Sequence, residues 1–118
     1  MKRVYISGPM TGVEDFNCKA FQLAEARLTV AGYEVVSPLS NQQLYNEASP
    51  EDAYKAVMQK DLFDLLACDV IAMLPDWEQS NGARVELAAA MVCNMEVIDA
   101  ITLKELNAKV EYYFTYKS

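Results

Sequence analysis

Asp69-Val-Ile-Ala-Met-Leu-Pro-Asp-Trp-Glu-Gln-Ser-Asn-Gly-Ala-Arg-Val-Glu86 changes character partway along, and that change sets the fold. Asp69 to Leu74 is almost wholly apolar, as expected of a strand buried on both faces. A polar loop follows with the only Trp, and from about Gly82 to Cys93 the chain is alanine-rich and helical in pattern. Such a strand, loop and helix suit an open α/β sheet, whose ligands sit outside the carboxyl ends of the strands.

Working outward, Val4-Tyr-Ile-Ser7 reads as a first strand, stopped by Gly8-Pro9 and then Gly12. Phe21, Ala24, Leu28 and Ala31 follow the helical period from about Asn17 to Ala31, with Gly32 as C-cap. Tyr33 to Val36 is a second strand, closed by Ser37-Pro38, and residues 39–49 read as a loop or short helical turn. Ser49-Pro50-Glu51-Asp52 is a helix start, with a hydroxyl N-cap, Pro at N1 and acids facing the dipole. That helix runs to about Ala67, on a seam through Tyr54, Met58 and Leu65 with Val57, Leu62 and Leu66 beside it. Met95 to Ile98 is a fourth strand. Thr102-Leu-Lys-Glu105 has the form of a capping box opening a last helix, with Leu103, Leu106, Val110 and Phe114 inward. Strands alternating with helices imply right-handed crossovers. The expected fold is a small doubly wound α/β domain spanning residues 1–118, with a four-stranded parallel sheet in order 2-1-3-4 and helices on both faces.

Composition narrows the function. Just over half of the 118 residues are apolar, which suits a globular chain with a real core. No apolar run is long enough to cross a bilayer and the N-terminus lacks signal-peptide features, so a cytoplasmic location and no membrane partner are expected. The net charge of −7, with scattered basic residues, argues against nucleic acid as partner. Cys18, Cys68 and Cys93 lack C-x-x-C spacing, fall in apolar stretches of sequence and are read as reduced structural thiols. The absence of His rules out Ser-His-Asp and Cys-His sites and makes most zinc sites improbable.

Two carboxylates carry the candidate chemistry. Asp61, three residues after Met58 and four before Leu65, falls on the apolar seam. It is either an edge Asp paired with a Lys or capping a loop, or a pocket carboxyl whose pKa burial raises. Glu86 lies four residues after Gly82, early in its helix. Position alone suits a solvated Glu or a partner for Arg84 or a Lys; the preceding strand and the room left by Gly82 and Ala83 suit a ligand site. Ser7-Gly-Pro-Met-Thr-Gly12 matches neither G-x-G-x-x-G nor the P-loop pattern, and stands as a plain turn or a small-residue cradle. Trp77 and the tyrosines of Tyr112 to Tyr116 could stack on a planar base or serve as core and interface aromatics.

Tyr5-Ile-Ser-Gly-Pro-Met-Thr-Gly12, the Asp61-x₇-Asp69 run to Asp76, and Ser80-x-Gly82-Ala83-x-x-Glu86 together resemble the nucleoside 2-deoxyribosyltransferase superfamily. The nearest match is its small, often phage-encoded DUF4406 branch. The resemblance covers most of the chain to about residue 98. It implies that Glu86 attacks the anomeric carbon and that Asp61 handles the proton of the leaving base. It implies further that Tyr5, Ser7, Gly8 and Met10 line the sugar or its 5′ end; Asp76, Trp77, Ser80 and Gly82, on the loop and helix start after the third strand, are expected to complete the substrate site. Ser80 stands where the transferases carry a further acid, which is closer to relatives that hydrolyse deoxynucleoside monophosphates. The expected function is therefore cleavage or transfer at the N-glycosidic bond of a (deoxy)nucleoside or its monophosphate. The chemistry that the resemblance implies requires no metal or cofactor. The alternatives are a nucleotide-binding module using the same pocket, or an interaction protein with a vestigial one. A homo-oligomer, dimer or larger, is expected from the exposed sheet edges and the family habit of sharing sites.

Overall fold

The computed structural model describes residues 1–42 and 52–116. Four parallel strands, β1 (Arg3–Ser7), β2 (Glu34–Val36), β3 (Val70–Met73) and β4 (Glu96–Asp99), form a sheet in the order β2-β1-β3-β4. The expected order and parallel pairing are borne out, and every strand end lies within a residue or two of its expected place. The helices are α1 (Cys18–Val30), α2 (Ala53–Leu66), α3 (Asn81–Val92) and α4 (Asn107–Tyr116).

Strand alternation divides the core. Val4, Ile6, Val70, Ala72, Leu74 and Ile98 face one side, where Phe21, Ala24 and Leu28 of α1 cover them. Tyr5, Ile71, Met73 and Val97 face the other, under Leu65 of α2, Leu87 and Ala90 of α3 and Val110 of α4. Each fully buried aliphatic side chain contributes about 1.5–3 kcal/mol, so both layers hold the sheet. Gly32 ends α1 as expected: at φ 98° it lets Tyr33 N–H reach Leu28 O and its own N–H reach Thr29 O.

Three expectations need correction. The buried line of α2 is Ala53, Val57, Asp61 and Leu65, while Tyr54 and Leu66 are exposed. The seam is rotated from the one drawn through Tyr54, which places Asp61 inside it rather than at its edge. Thr102 does not open the last helix. Asp99 Oδ1 accepts from the N–H groups of Ile101 and Thr102 at 2.7 and 2.9 Å, turning the chain so that Glu105 bridges back to Ile98. Leu103 sits in that turn at φ 62° and packs on the α1 side, and α4 begins only at Asn107. Cys93 is exposed rather than apolar in its surroundings, though all three thiols are free. The Ser49-Pro50-Glu51 helix start and most of the 39–49 stretch lie outside the described residues; Pro38–Asn41 forms a short 3-10 turn.

From β1 the chain crosses through α1 on one face to β2, then passes back over the other face through α2 to β3 and on through α3 to β4. The strand order therefore reverses between β1 and β3, and a crevice opens beyond their carboxyl ends. Among the described residues no helix is long and apolar enough to cross a membrane.

Candidate active site

Tyr5 and Ser7 are two residues apart on β1, so both point to the α3 face, and both are fully buried. α3 turns Ala83, Glu86, Leu87 and Ala90 toward the sheet, the i, i+3, i+4, i+7 pattern of an inward stripe. That stripe brings Glu86, only 5% exposed, down onto the end of β1. Tyr5 donates its hydroxyl to Glu86 Oε2 at 2.9 Å, and Ser7 donates to Oε1 at 2.6 Å. The pairing with Arg84 that the sequence allowed is not made; Arg84 bonds Asn81 Oδ1 instead. Burial pushes the Glu86 carboxyl up to about 8, and the charge of Asp61 adds to the rise; the bonds from Ser7 and Tyr5 oppose it. Burial, and then the Glu86 charge, push the Tyr5 phenol well above its ordinary value, so it stays a hydrogen-bond donor.

Asp61 enters from α2, also 5% exposed. Its Oδ1 accepts from Asn41 Nδ2 at 2.8 Å. The same nitrogen donates to Asp64 Oδ2 at 3.1 Å, and Asp64 is paired with Lys60 at 2.7 Å. The lysine partner suggested for Asp61 therefore belongs to its neighbour one turn on. Burial raises Asp61 to about 6 despite the bond from Asn41; Asp64 adds to the rise and Lys60 opposes it.

A cleft of about 300 Å³ joins the two carboxyls. That volume is at the lower end of the ~300–1,000 Å³ usual for small-molecule sites. Of the expected site residues, Gly8, Met10, Asp61, Ser80, Gly82 and Glu86 line it. Tyr5 and Ser7 reach it through Glu86. Gly8 has a packing reason to be glycine, since an added Cβ would come within 2.7 Å of Leu74 Cβ. At Gly82 a Cβ would meet the ends of the Tyr54 and Met58 side chains at 3.0 and 3.3 Å, so its bareness keeps room between α2 and α3. Ser80 caps α3, its Oγ accepting from Ala83 N–H at 3.1 Å, which leaves its own hydroxyl proton to donate elsewhere.

Two expected ligand residues stand apart. Asp76 is exposed, at φ 66° in the turn after β3, and does not line the cleft. Trp77, 3% exposed, packs edge-on against Tyr113 with ring centres 5.0 Å apart. It is a core residue, and its partner comes from the aromatic tail. Sequence reasoning missed Asn41, Gln42, Tyr54 and Asn81. The signal for the first two was present: Ser37-Pro38 is a turn start, and Ser37 Oγ accepts from Leu39 N–H. Among the described residues no three His, Cys, Asp or Glu side chains gather as metal ligands.

Residues 2–99 match a family described as Domain of unknown function (DUF4406), and the chain belongs to that family. A solved structure of the 2-deoxyribosyltransferase from the psychrotolerant bacterium Bacillus psychrosaccharolyticus shares 25% identity, with a TM-score of 0.65 over 81% of this chain and 69% of that one. The two findings bear out the resemblance to the nucleoside 2-deoxyribosyltransferase superfamily. No curated protein matches the chain.

Proposed function

We propose that this member of the DUF4406 family cleaves or transfers at the N-glycosidic bond of a (deoxy)nucleoside or its monophosphate, with Glu86 as nucleophile and Asp61 as proton donor. The observation that carries the reading is Glu86 itself: a carboxyl buried at the floor of a cleft, held by two hydroxyls, with a second buried carboxyl lining the same space. Burying a lone Glu without a cation costs stability, and a site that needs a positioned carboxylate accounts for that cost. The structural likeness to a 2-deoxyribosyltransferase supports the same bond.

In the proposed reaction a Glu86 oxygen bonds to C1′ as the bond from C1′ to the base nitrogen breaks. The departing electron pair stays on that nitrogen, which takes the Asp61 proton. The glycosyl ester then yields C1′ to water or a second base, whose proton returns to Asp61 as Glu86 leaves as carboxylate. Two carboxyls do the same in retaining glycosidases. The Tyr5 and Ser7 hydroxyls hold Glu86 in its rotamer, and Ser80, at the head of α3, suits a hydroxyl or phosphate of the ligand. Exposed Phe63 and Leu66 on α2 and Val85 and Val92 on α3 support assembly as a homo-oligomer, which light scattering would measure.

One observation favours a second reading, a nucleotide-binding module without turnover. Burial raises the Glu86 carboxyl to about 8 and so disfavours the carboxylate that attack requires near neutrality. A panel of nucleosides, deoxynucleosides and their monophosphates, assayed for free base with wild type and Glu86→Ala, separates the two. Turnover by wild type and its loss in a folded variant are expected. Tight binding of a panel member with no base released sinks the enzyme reading.

A further inference from the structure

Asn41 lies on the 3-10 turn after β2, twenty residues before Asp61, and is 6% exposed. One amide nitrogen serves two acids: its two protons go to Asp61 Oδ1 at 2.8 Å and Asp64 Oδ2 at 3.1 Å. The opposite amide orientation would set a carbonyl oxygen against two carboxyls, so the chemistry fixes which end faces them. Asp64 is itself held by Lys60 at 2.7 Å. A chain of contacts, Lys60 to Asp64 to Asn41 to Asp61, thus ends on the cleft acid. Asn41 does not line the cleft, whereas its neighbour Gln42 does.

We infer that Asn41 is the positioning residue of the proton donor: its amide occupies Asp61 Oδ1, so that the acid carries its exchangeable proton on Oδ2 and presents it to the cleft. This rests on the proposed role of Asp61 and adds a residue from a fourth element to the site. An N–H donor at Oδ1 leaves that oxygen accepting only, so a proton arriving on Asp61 goes to the other oxygen. It also steadies the anion left after the proton is given up. Asp64, tied to Lys60, holds the amide in the plane that makes this possible.

Asn41→Ala removes the donor without adding charge; Asn41→Asp keeps the shape but sets a third carboxyl against both acids. Base release is expected to fall about 10- to 100-fold in kcat, the range for a hydrogen bond to a charged group, with KM nearly unchanged because Asn41 does not line the cleft. The acid limb of the rate profile moves to higher pH, since the bond that lowers the Asp61 pKa is gone. Asn41→Ser, with one donor, recovers part of the rate, and carries the test if the Asp variant does not fold. A folded Asn41→Asp or Asn41→Ala variant with wild-type kcat and acid limb overturns the inference, as does a raised KM with kcat intact, which marks a merely structural role. Should wild type release no base at all, the reading of the reaction fails separately. Carboxyl carbon NMR then tests the orientation directly. A rise of the Asp61 midpoint in Asn41→Ala upholds the Asn41 contact, and an unmoved midpoint overturns it.

Discussion

Ser7 donates a 2.6 Å hydrogen bond to Glu86 across 79 residues of chain, tying the last residue of β1 to the inward face of α3. With Tyr5 on the other oxygen, both carboxylate oxygens accept a hydroxyl. Hydroxyl donors hold a carboxylate without neutralising it, so the group stays charge-changing in a place where burial disfavours charge. Several measurable properties descend from that contact.

Removing the Ser7 hydroxyl weakens the ionised form of Glu86, because the lost bond is one that lowers its pKa. In Ser7→Ala the alkaline limb of base release moves to higher pH, and kcat/KM drops about 10- to 100-fold. Rates of Ser7→Ala and wild type across pH 7 to 10 decide it, and superimposable profiles would remove Ser7 from the mechanism.

Wild type is expected to show a bell-shaped profile of kcat/KM with limbs near 6 and near 8, taken from Asp61 and Glu86. Below the lower value both acids are protonated and there is no nucleophile. Above the upper one both are ionised and the leaving base finds no proton. Between them the pair shares one proton, which rests mostly on Glu86. The reactive form, with the proton on Asp61 and Glu86 ionised, is the minor tautomer of that state, and the two limbs belong to the pair rather than to either acid. A rate still climbing beyond the upper limb would exclude Asp61 as donor.

Glu86 also governs stability with pH. An ordinary Glu ionises near 4.5, whereas Glu86 holds its proton to about 8. Across that window the folded chain keeps a proton the unfolded chain has released, so stability falls as pH rises through it. Glu86→Gln is neutral throughout and escapes the loss. At pH 8 its melting temperature should exceed that of wild type by ~4 °C or more, for about 1 kcal/mol recovered. At pH 4 the two should melt nearly together. Thermal melts at both values test this; a variant less stable at pH 8 contradicts it.

Gly8→Ala tests the packing at the mouth of β1. The new methyl would lie 2.7 Å from Leu74 Cβ, an atom fixed to the backbone, so strand or loop must shift. A loss of about 1–3 kcal/mol in denaturant unfolding is expected. Gly82→Ala meets only the ends of the Tyr54 and Met58 side chains and should fold almost as wild type. Equal stabilities for the two variants would show that the Leu74 contact is not tight.

The parallel sheet with helices on both faces was legible from the alternation of strands and helices, and the burial of β3 from its unbroken apolar run. Asp61 was legible as a candidate because it falls on an apolar stripe, Glu86 because its helix opens at a strand's carboxyl end beside Gly82 and Ala83, and the family motifs named both. Local patterns misled where a competing local bond existed. Thr102-Leu-Lys-Glu105 has the letters of a capping box, but Asp99 claims the N–H groups of Ile101 and Thr102 first. Trp77 sits in a ligand loop by position, yet Tyr113, thirty-six residues on, draws it into the core.

By itself, then, the sequence determined the alternation of strand and helix, the buried third strand and Asp61 on its apolar stripe, all consequences of spacing along one element. Tertiary structure alone decided what those acids touch. Glu86 is held by Tyr5 and Ser7 of β1, and Asp61 by Asn41 of the turn after β2. Hydrogen bonds of that reach depend on how elements pack on the sheet, and no period within a single element encodes them.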